Sequence, residues 1–187
     1  MRVYLTGFMG SGKSVLGREL AKELSCGFVD LDEVIAIGRG RSISQIFEEA
    51  GEESFRKAER EELRKTIRLQ DHVIALGGGA LLEDGAMLWA RSIGFVVFVD
   101  VAEDEIVRRL LDSGAGRPLV ADALAGEEPE AALRARIREM MERRRPVYEQ
   151  ADVIFRPEGK SVRGDAGELA RLLRSRTGHL ARRWTGD

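Results

Sequence analysis

The chain has 187 residues, enough for one domain around one good core with a mobile flap at most. Hydrophobic residues make up 43% and charged residues 33%, with a net charge of −2, which removes any broad electrostatic case for a nucleic-acid or anionic-membrane partner. Cys26 is the only cysteine, so an internal disulfide and a multi-cysteine metal site are both excluded.

Arg2 to Thr6 reads as a short buried strand. It leads directly into a glycine loop, so no signal peptide is expected. No apolar run reaches the roughly 18 residues needed to span a bilayer. By elimination, the expected location is cytoplasmic. After the loop, Lys13 to Leu24 is amphipathic, with Val15, Leu16, Leu20 and Leu24 on one helical face. Gly27 to Leu31 reads as a second strand, Asp32 to Ile37 as helix and Gly38 to Arg41 as a turn. Ser42 with Gln45 has the form of a capping box that opens another helix. Gly51 to Gln70 is charged and helical, and His72 to Leu76 is a strand running into Gly77-Gly78-Gly79. Gly94 to Val99 is the most apolar strand and is expected at the centre of a parallel sheet.

Glu103 to Leu111 reads as helix. Asp112 to Glu128 loses periodicity and gains Gly, Ala and Pro, as a flap would. Pro129 to Arg145 is an Arg-rich helix that Pro146 should stop. Asp152 to Phe155 is a last strand, Asp165 to Arg176 a last helix, and Thr177 to Asp187 a frayed tail. Strands alternating with helices predict a doubly wound α/β sheet, in which ligands bind at the carboxyl ends of the strands.

Gly7-Phe8-Met9-Gly10-Ser11-Gly12-Lys13-Ser14 fits G-x-x-x-x-G-K-[ST] in full, with a strand before it and a helix after it. The glycines let successive N–H groups point at a phosphate, and the helix start adds its positive dipole end. Lys13 should reach the β- and γ-phosphates, and the Ser14 hydroxyl should bind Mg²⁺. The motif gives nucleotide binding but not the acceptor.

Five further features are ambiguous singly. Asp30 and Asp32 lie two apart at a strand end, where period-two geometry puts them on one face. One could hold Mg²⁺ through water and the other accept a hydrogen bond from an attacking hydroxyl, or both could be solvated. Arg56 and Glu59 are three apart on a helix and can pair. That pair could orient a guanidinium toward a substrate carboxylate or could be a surface ion pair. Gly77 to Gly79 offers free N–H groups and close ligand approach, though a sharp turn would need one glycine alone. Arg117, in Arg117-Pro118-Leu119 of the flap, could stabilise charge on a transferred phosphoryl or simply be solvated. Arg143-Arg144-Arg145 ends a helix and could complement its dipole. His72, His179 and Cys26 carry no expected chemistry.

Together these features resemble the shikimate kinases. The resemblance rests on the P-loop, Asp30-Leu31-Asp32, the Gly-Glu-x-x-Phe-Arg-x-x-Glu stretch from Gly51 to Glu59, the triple glycine, the Arg-Pro-Leu of the flap, and Arg144 with Pro146 and Tyr148 beyond it. It implies a three-layer α/β/α P-loop kinase fold with a parallel five-stranded sheet and a mobile lid. One domain would occupy residues 1–176, with a substrate-binding segment at about 32–60, a lid at about 112–129 and a tail at 177–187. It further implies ATP- and Mg²⁺-dependent phosphorylation of the 3-hydroxyl of shikimate, in the route to chorismate and the aromatic amino acids. The implied partner is the small molecule alone, without nucleic acid, membrane or a second protomer.

By position, the resemblance makes Lys13, Asp32 and Arg117 catalytic and assigns Ser14 and Asp30 to the metal. Gly10, Ser11, Gly12, Lys13, Ser14, Val15, Arg109 and Arg117 would hold the nucleotide, and Asp32, Arg56, Gly77, Gly78, Gly79 and Arg144 the shikimate. The stretch from Arg109 to Arg117 is one residue longer than the family pattern, and the flap is acidic and alanine-rich. Rival readings are a gluconate or nucleotide kinase and a non-catalytic ATP-binding switch. The switch would have no use for Asp32, Arg56 and Arg144 together.

Overall fold

A computed structural model describes residues 1–113, 118–125, 127–159 and 161–184. Its elements run β1 (Arg2–Thr6), α1 (Lys13–Leu24), β2 (Gly27–Asp30), α2 (Leu31–Arg39), α3 (Ile43–Lys65), β3 (His72–Ala75), α4 (Ala86–Ile93), β4 (Phe95–Val99), α5 (Glu103–Ser113), α6 (Ala121–Leu124), α7 (Pro129–Tyr148), β5 (Val153–Phe155) and α8 (Val162–Trp184). The five strands form one sheet in the order β2-β3-β1-β4-β5, and every pairing is parallel. This is the three-layer architecture expected.

Period-two alternation sorts the strand side chains between two helical layers. Val3 and Leu5 of β1 and Val97 of β4 face one way, into a cluster with Leu16 and Leu20 of α1, Ile106 of α5, Ile137 of α7 and Leu169 of α8. Tyr4 stands in register with Ile74 and Val96, and that row faces the other way, against Leu31, Leu63, Met87 and Ala90. Burial of each such Leu or Ile contributes about 1.5–3 kcal/mol, so both layers are firmly attached. A third, smaller cluster of Ile35, Ile46, Phe55 and Ala58 joins α2 to α3 and stands apart from the sheet.

Several expectations need correction. The most apolar strand, β4, is not the centre of the sheet. That place belongs to β1, and the apolarity of β4 follows from burial of both its faces, Phe95 and Val97 toward one helical layer and Val96 toward the other. The helix α4 was not foreseen, because it is short, eight residues between Gly85 and Gly94, and follows the turn-like Glu83-Asp84-Gly85. Pro146 does not stop α7. It lies inside the last turn, and the helix continues to Tyr148. Proline removes one N–H and crowds the preceding turn, which a helix tolerates when little of it remains to be built. The last helix begins at Val162 and passes Arg176 to reach Trp184. Within the flap, a 3₁₀ turn covers Pro118–Val120 and α6 follows it.

The capping box is present as expected, with the Ser42 hydroxyl accepting from the Gln45 N–H at 3.2 Å and the Gln45 side chain accepting from the Ser42 N–H at 2.9 Å. The helix it opens is interrupted at Gly51, where φ 76° and ψ 169° bend the chain before Glu52 resumes the helix. No helix among the described residues is long and apolar enough to cross a membrane.

Candidate active site

The carboxyl ends of β1 to β4 open on one cleft of about 1370 Å³. Its nucleotide-type half is built from consecutive backbone. Gly10 and Gly12 adopt φ 77° and 86°, which keeps the loop wrapped at the amino end of α1. The Lys13 ammonium folds back to donate to the Gly7 and Phe8 carbonyls at 3.0 and 2.9 Å. Ser11, Ser14 and Val15 line the same cleft, and Val15 is half exposed to it.

Arg109 closes this half from α5. Its guanidinium donates to the Gly10 carbonyl at 3.0 Å and to Glu105 at 2.7 Å. Hydrogen bonds from Arg108 and Arg109 pull the Glu105 carboxyl down to about 2. The extra residue after Arg109 therefore does not displace it from the loop. Arg117 falls outside the described residues, whereas Pro118 and Leu119 line the cleft.

The facing half is built from side chains. Asp30 and Asp32 do not share a strand face as expected, because the chain turns into helix at Leu31. Asp30 becomes the N-cap of α2, its Oδ1 accepting from the Asp32 N–H at 3.0 Å and the Glu33 N–H at 3.5 Å. Asp32 sits in the first helical turn, and both carboxylates still line the cleft. Arg56 donates to Glu59 at 2.6 Å and to Glu52 at 3.0 Å. This is no surface ion pair, since Glu59 is 2% exposed. Burial raises the Glu59 carboxyl above its usual range, Arg56 opposes that rise, and Asp32 adds to it. Glu59 keeps Oε1 buried without a hydrogen-bond partner.

The three glycines explain themselves through what faces them. A Cβ on Gly77 would stand 2.3 Å from Glu59 Oε1 and 2.9 Å from Asp32 Oδ1. One on Gly79 would stand 2.2 Å from the Arg56 guanidinium. One on Gly78 would meet Arg144 at 3.3 Å and the Tyr148 hydroxyl at 3.5 Å. Two carboxylates and two guanidiniums thus press on one bare backbone turn. Arg144 is 9% exposed and lies 5.6 Å over the Phe8 ring, so the middle arginine of the triplet points inward. Its neighbours turn away: Arg143 pairs with Glu139, and Arg145 pairs with Asp100 and Glu149.

Sequence reasoning missed five contributors. Asp100 follows β4, is 8% exposed and accepts from Arg145 at 2.7 Å and Arg156 at 3.1 Å. Its place at a strand's carboxyl end was the available signal. Arg156 with Pro157 lines the nucleotide side, and Ile43 with Phe47 gives the acceptor side an apolar wall. These positions carry no motif.

Mg²⁺ suits this set of donors. No group of three His, Cys, Asp or Glu side chains is placed to hold a metal among the described residues. An ion bound chiefly through phosphates and water needs only a hydroxyl and a nearby carboxylate, which Ser14 and Asp30 supply at the cleft.

Comparison with known proteins agrees with this geometry. The family model described as shikimate kinase matches residues 9–174. The shikimate kinase of Salinibacter ruber is 45% identical over 151 residues, covering 81% of this chain and 74% of that one. That of Caldanaerobacter subterraneus subsp. tengcongensis is 38% identical over 169 residues, covering 90% and 94%. Among solved structures, shikimate kinase from Bacteroides thetaiotaomicron superposes with a TM-score of 0.83 at 34% identity, covering 93% of this chain and 98% of that one. Shikimate kinase from Acinetobacter baumannii in complex with shikimate gives 0.81 at 32% identity, covering 93% of each. With a family model matched across most of its length and relatives this similar, the chain belongs to the shikimate kinase family.

Proposed function

We propose that the protein transfers the γ-phosphoryl group of ATP to the 3-hydroxyl of shikimate, releasing ADP and shikimate 3-phosphate. One observation carries the acceptor: Arg56 and Arg144, both largely withdrawn from solvent, converge on the Gly77–Gly79 turn beside Asp32, in the cleft that the P-loop also lines. Two guanidiniums in one pocket suit a carboxylate, a carboxylate side chain suits ring hydroxyls, and bare backbone lets a ring lie close.

Asp32 holds the acceptor hydroxyl and takes its proton as the new O–P bond forms and the bond from the γ-phosphorus to the bridging oxygen breaks. Lys13 exchanges its loop carbonyls for the β- and γ-phosphates. Gly10, Ser11, Gly12 and Ser14 cradle the phosphates, Val15 and Arg109 border the nucleotide, and Arg117 closes over the transferring group. Ser14 and Asp30 would hold Mg²⁺, which would supply charge neutralisation for the phosphates. Catalysis here is positioning and electrostatics, and lid closure suppresses transfer to water. The protein acts as a cytoplasmic monomer in the chorismate route, without nucleic-acid or membrane partners.

The test is ADP release from MgATP with shikimate, with gluconate and with nucleoside monophosphates. Release with shikimate alone is expected. Release only with another acceptor would keep the chemistry and overturn the substrate, and ATP binding with no acceptor-dependent release would leave a nucleotide-binding switch.

A further inference from the structure

Tyr148 is 0% exposed, and its ring packs 5.1 Å from that of Phe98. A phenylalanine would satisfy that packing equally. A hydroxyl taken out of water costs free energy unless it is bonded, so its presence calls for a partner. One partner lies outside its own helix. The hydroxyl donates to the Gly78 carbonyl at 2.5 Å, across 70 residues of sequence. Arg144, one turn earlier on the same face of α7, is the other polar neighbour of the phenol. The absent Cβ of Gly78 marks the meeting point, within 3.3 Å of the Arg144 guanidinium and 3.5 Å of the Tyr148 oxygen.

We infer that Tyr148 is a positioning residue for the phosphoryl acceptor, its hydroxyl fixing the glycine turn and the Arg144 guanidinium relative to each other. The inference rests on the acceptor reading above. Tyr148 does not itself line the cleft; it acts through two groups that do. The link also joins the ends of two strands, because Arg144 lies over Phe8 of the P-loop, which follows β1, while Gly78 follows β3. Loss of the hydroxyl leaves the ring in place and frees the Gly78 carbonyl and Arg144 to settle independently.

The test is Tyr148→Phe, with Arg144→Ala and the double variant beside it. Y148F is expected to raise the shikimate KM about tenfold, the scale of one buried hydrogen bond, and to leave the ATP KM within about twofold. The double variant should lose less than the product of the single losses, because both substitutions loosen the same unit. An unchanged shikimate KM, or equal rises in both KM values, overturns the inference. A wild type that ignores shikimate sinks the acceptor reading as well, whereas an active wild type with an unaffected Y148F sinks this inference alone.

Should Y148F fail to fold, the wild type still answers. It has two tyrosines, and Tyr4, bonded to Thr66 at 2.8 Å and not part of the cleft lining, serves as an internal reference. With ¹³Cζ-labelled tyrosine, shikimate should move the Tyr148 resonance and leave Tyr4 in place. A Tyr148 signal indifferent to shikimate overturns the inference.

Discussion

The two halves of the cleft are made differently. The nucleotide half is built on eight consecutive residues, Gly7 to Ser14, whose main chain wraps the loop and whose one charged side chain, Lys13, bonds back to its own loop. The acceptor half draws Asp32, Arg56, Glu59, Arg144 and Tyr148 from three helices onto a turn that contributes no side chain. The first is local, so its geometry survives changes elsewhere. The second exists only when α2, α3 and α7 dock correctly. Damage to the nucleotide half should therefore appear in the chemical step, and damage to the acceptor half in acceptor affinity.

Substitutions can break or sharpen that contrast. The largest effect is expected from Lys13→Ala, which removes the main phosphate charge partner and should cut kcat by on the order of 10³-fold while the shikimate KM changes little. Steady-state ADP release checks it, and a loss confined to KM would contradict it. Next comes Gly79→Ala, whose Cβ would stand 2.2 Å from the Arg56 guanidinium. Displacing that group should raise the shikimate KM about 100-fold with ATP binding retained, as titration calorimetry for each ligand would report.

Glu59→Gln should raise the shikimate KM about tenfold, since Arg56 loses its buried charged partner. It also carries a pH signature. A carboxyl raised above its ordinary value of 4.5 contributes stability that is present below that value and lost as pH rises through the folded value. The Tm advantage of wild type over E59Q should therefore be larger at pH 4 than at pH 7, and the opposite trend in thermal melts would refute the assignment. The smallest effect is expected from Glu105→Gln. Its ion pair with Arg109 is partly solvated, so the ATP KM should rise only about two- to threefold.

The same contrast decided what the sequence could tell. The P-loop and α1 were legible to the residue, because a contiguous motif encodes a contiguous structure. The Arg56–Glu59 pair was legible as spacing, but its burial was not, since burial depends on what β3 and α2 bring against it. Asp30 and Asp32 were found for an incorrect reason: strand periodicity ends where the chain turns at Leu31, and docking of α2 aims Asp32 instead. The inward turn of Arg144 between two outward neighbours follows from its place on α7, which three successive arginines do not reveal. Asp100 and α4 went unseen because one is a lone residue after a strand and the other a helix of only eight residues between two glycines.

Gly51 has a consequence on an evolutionary scale. Nothing lies within 4 Å of where its Cβ would be, so crowding would admit any residue. Its torsions, φ 76° and ψ 169°, belong to a region that glycine alone occupies comfortably. Drift at this site is barred by backbone geometry in open space. A descendant that lost the glycine would lose the bend between Ile46 and Phe55 of the small α2–α3 cluster, and with it the approach of Arg56 to the turn. This one unremarked glycine would then separate lineages that kept the acceptor pocket from lineages that kept only the nucleotide loop.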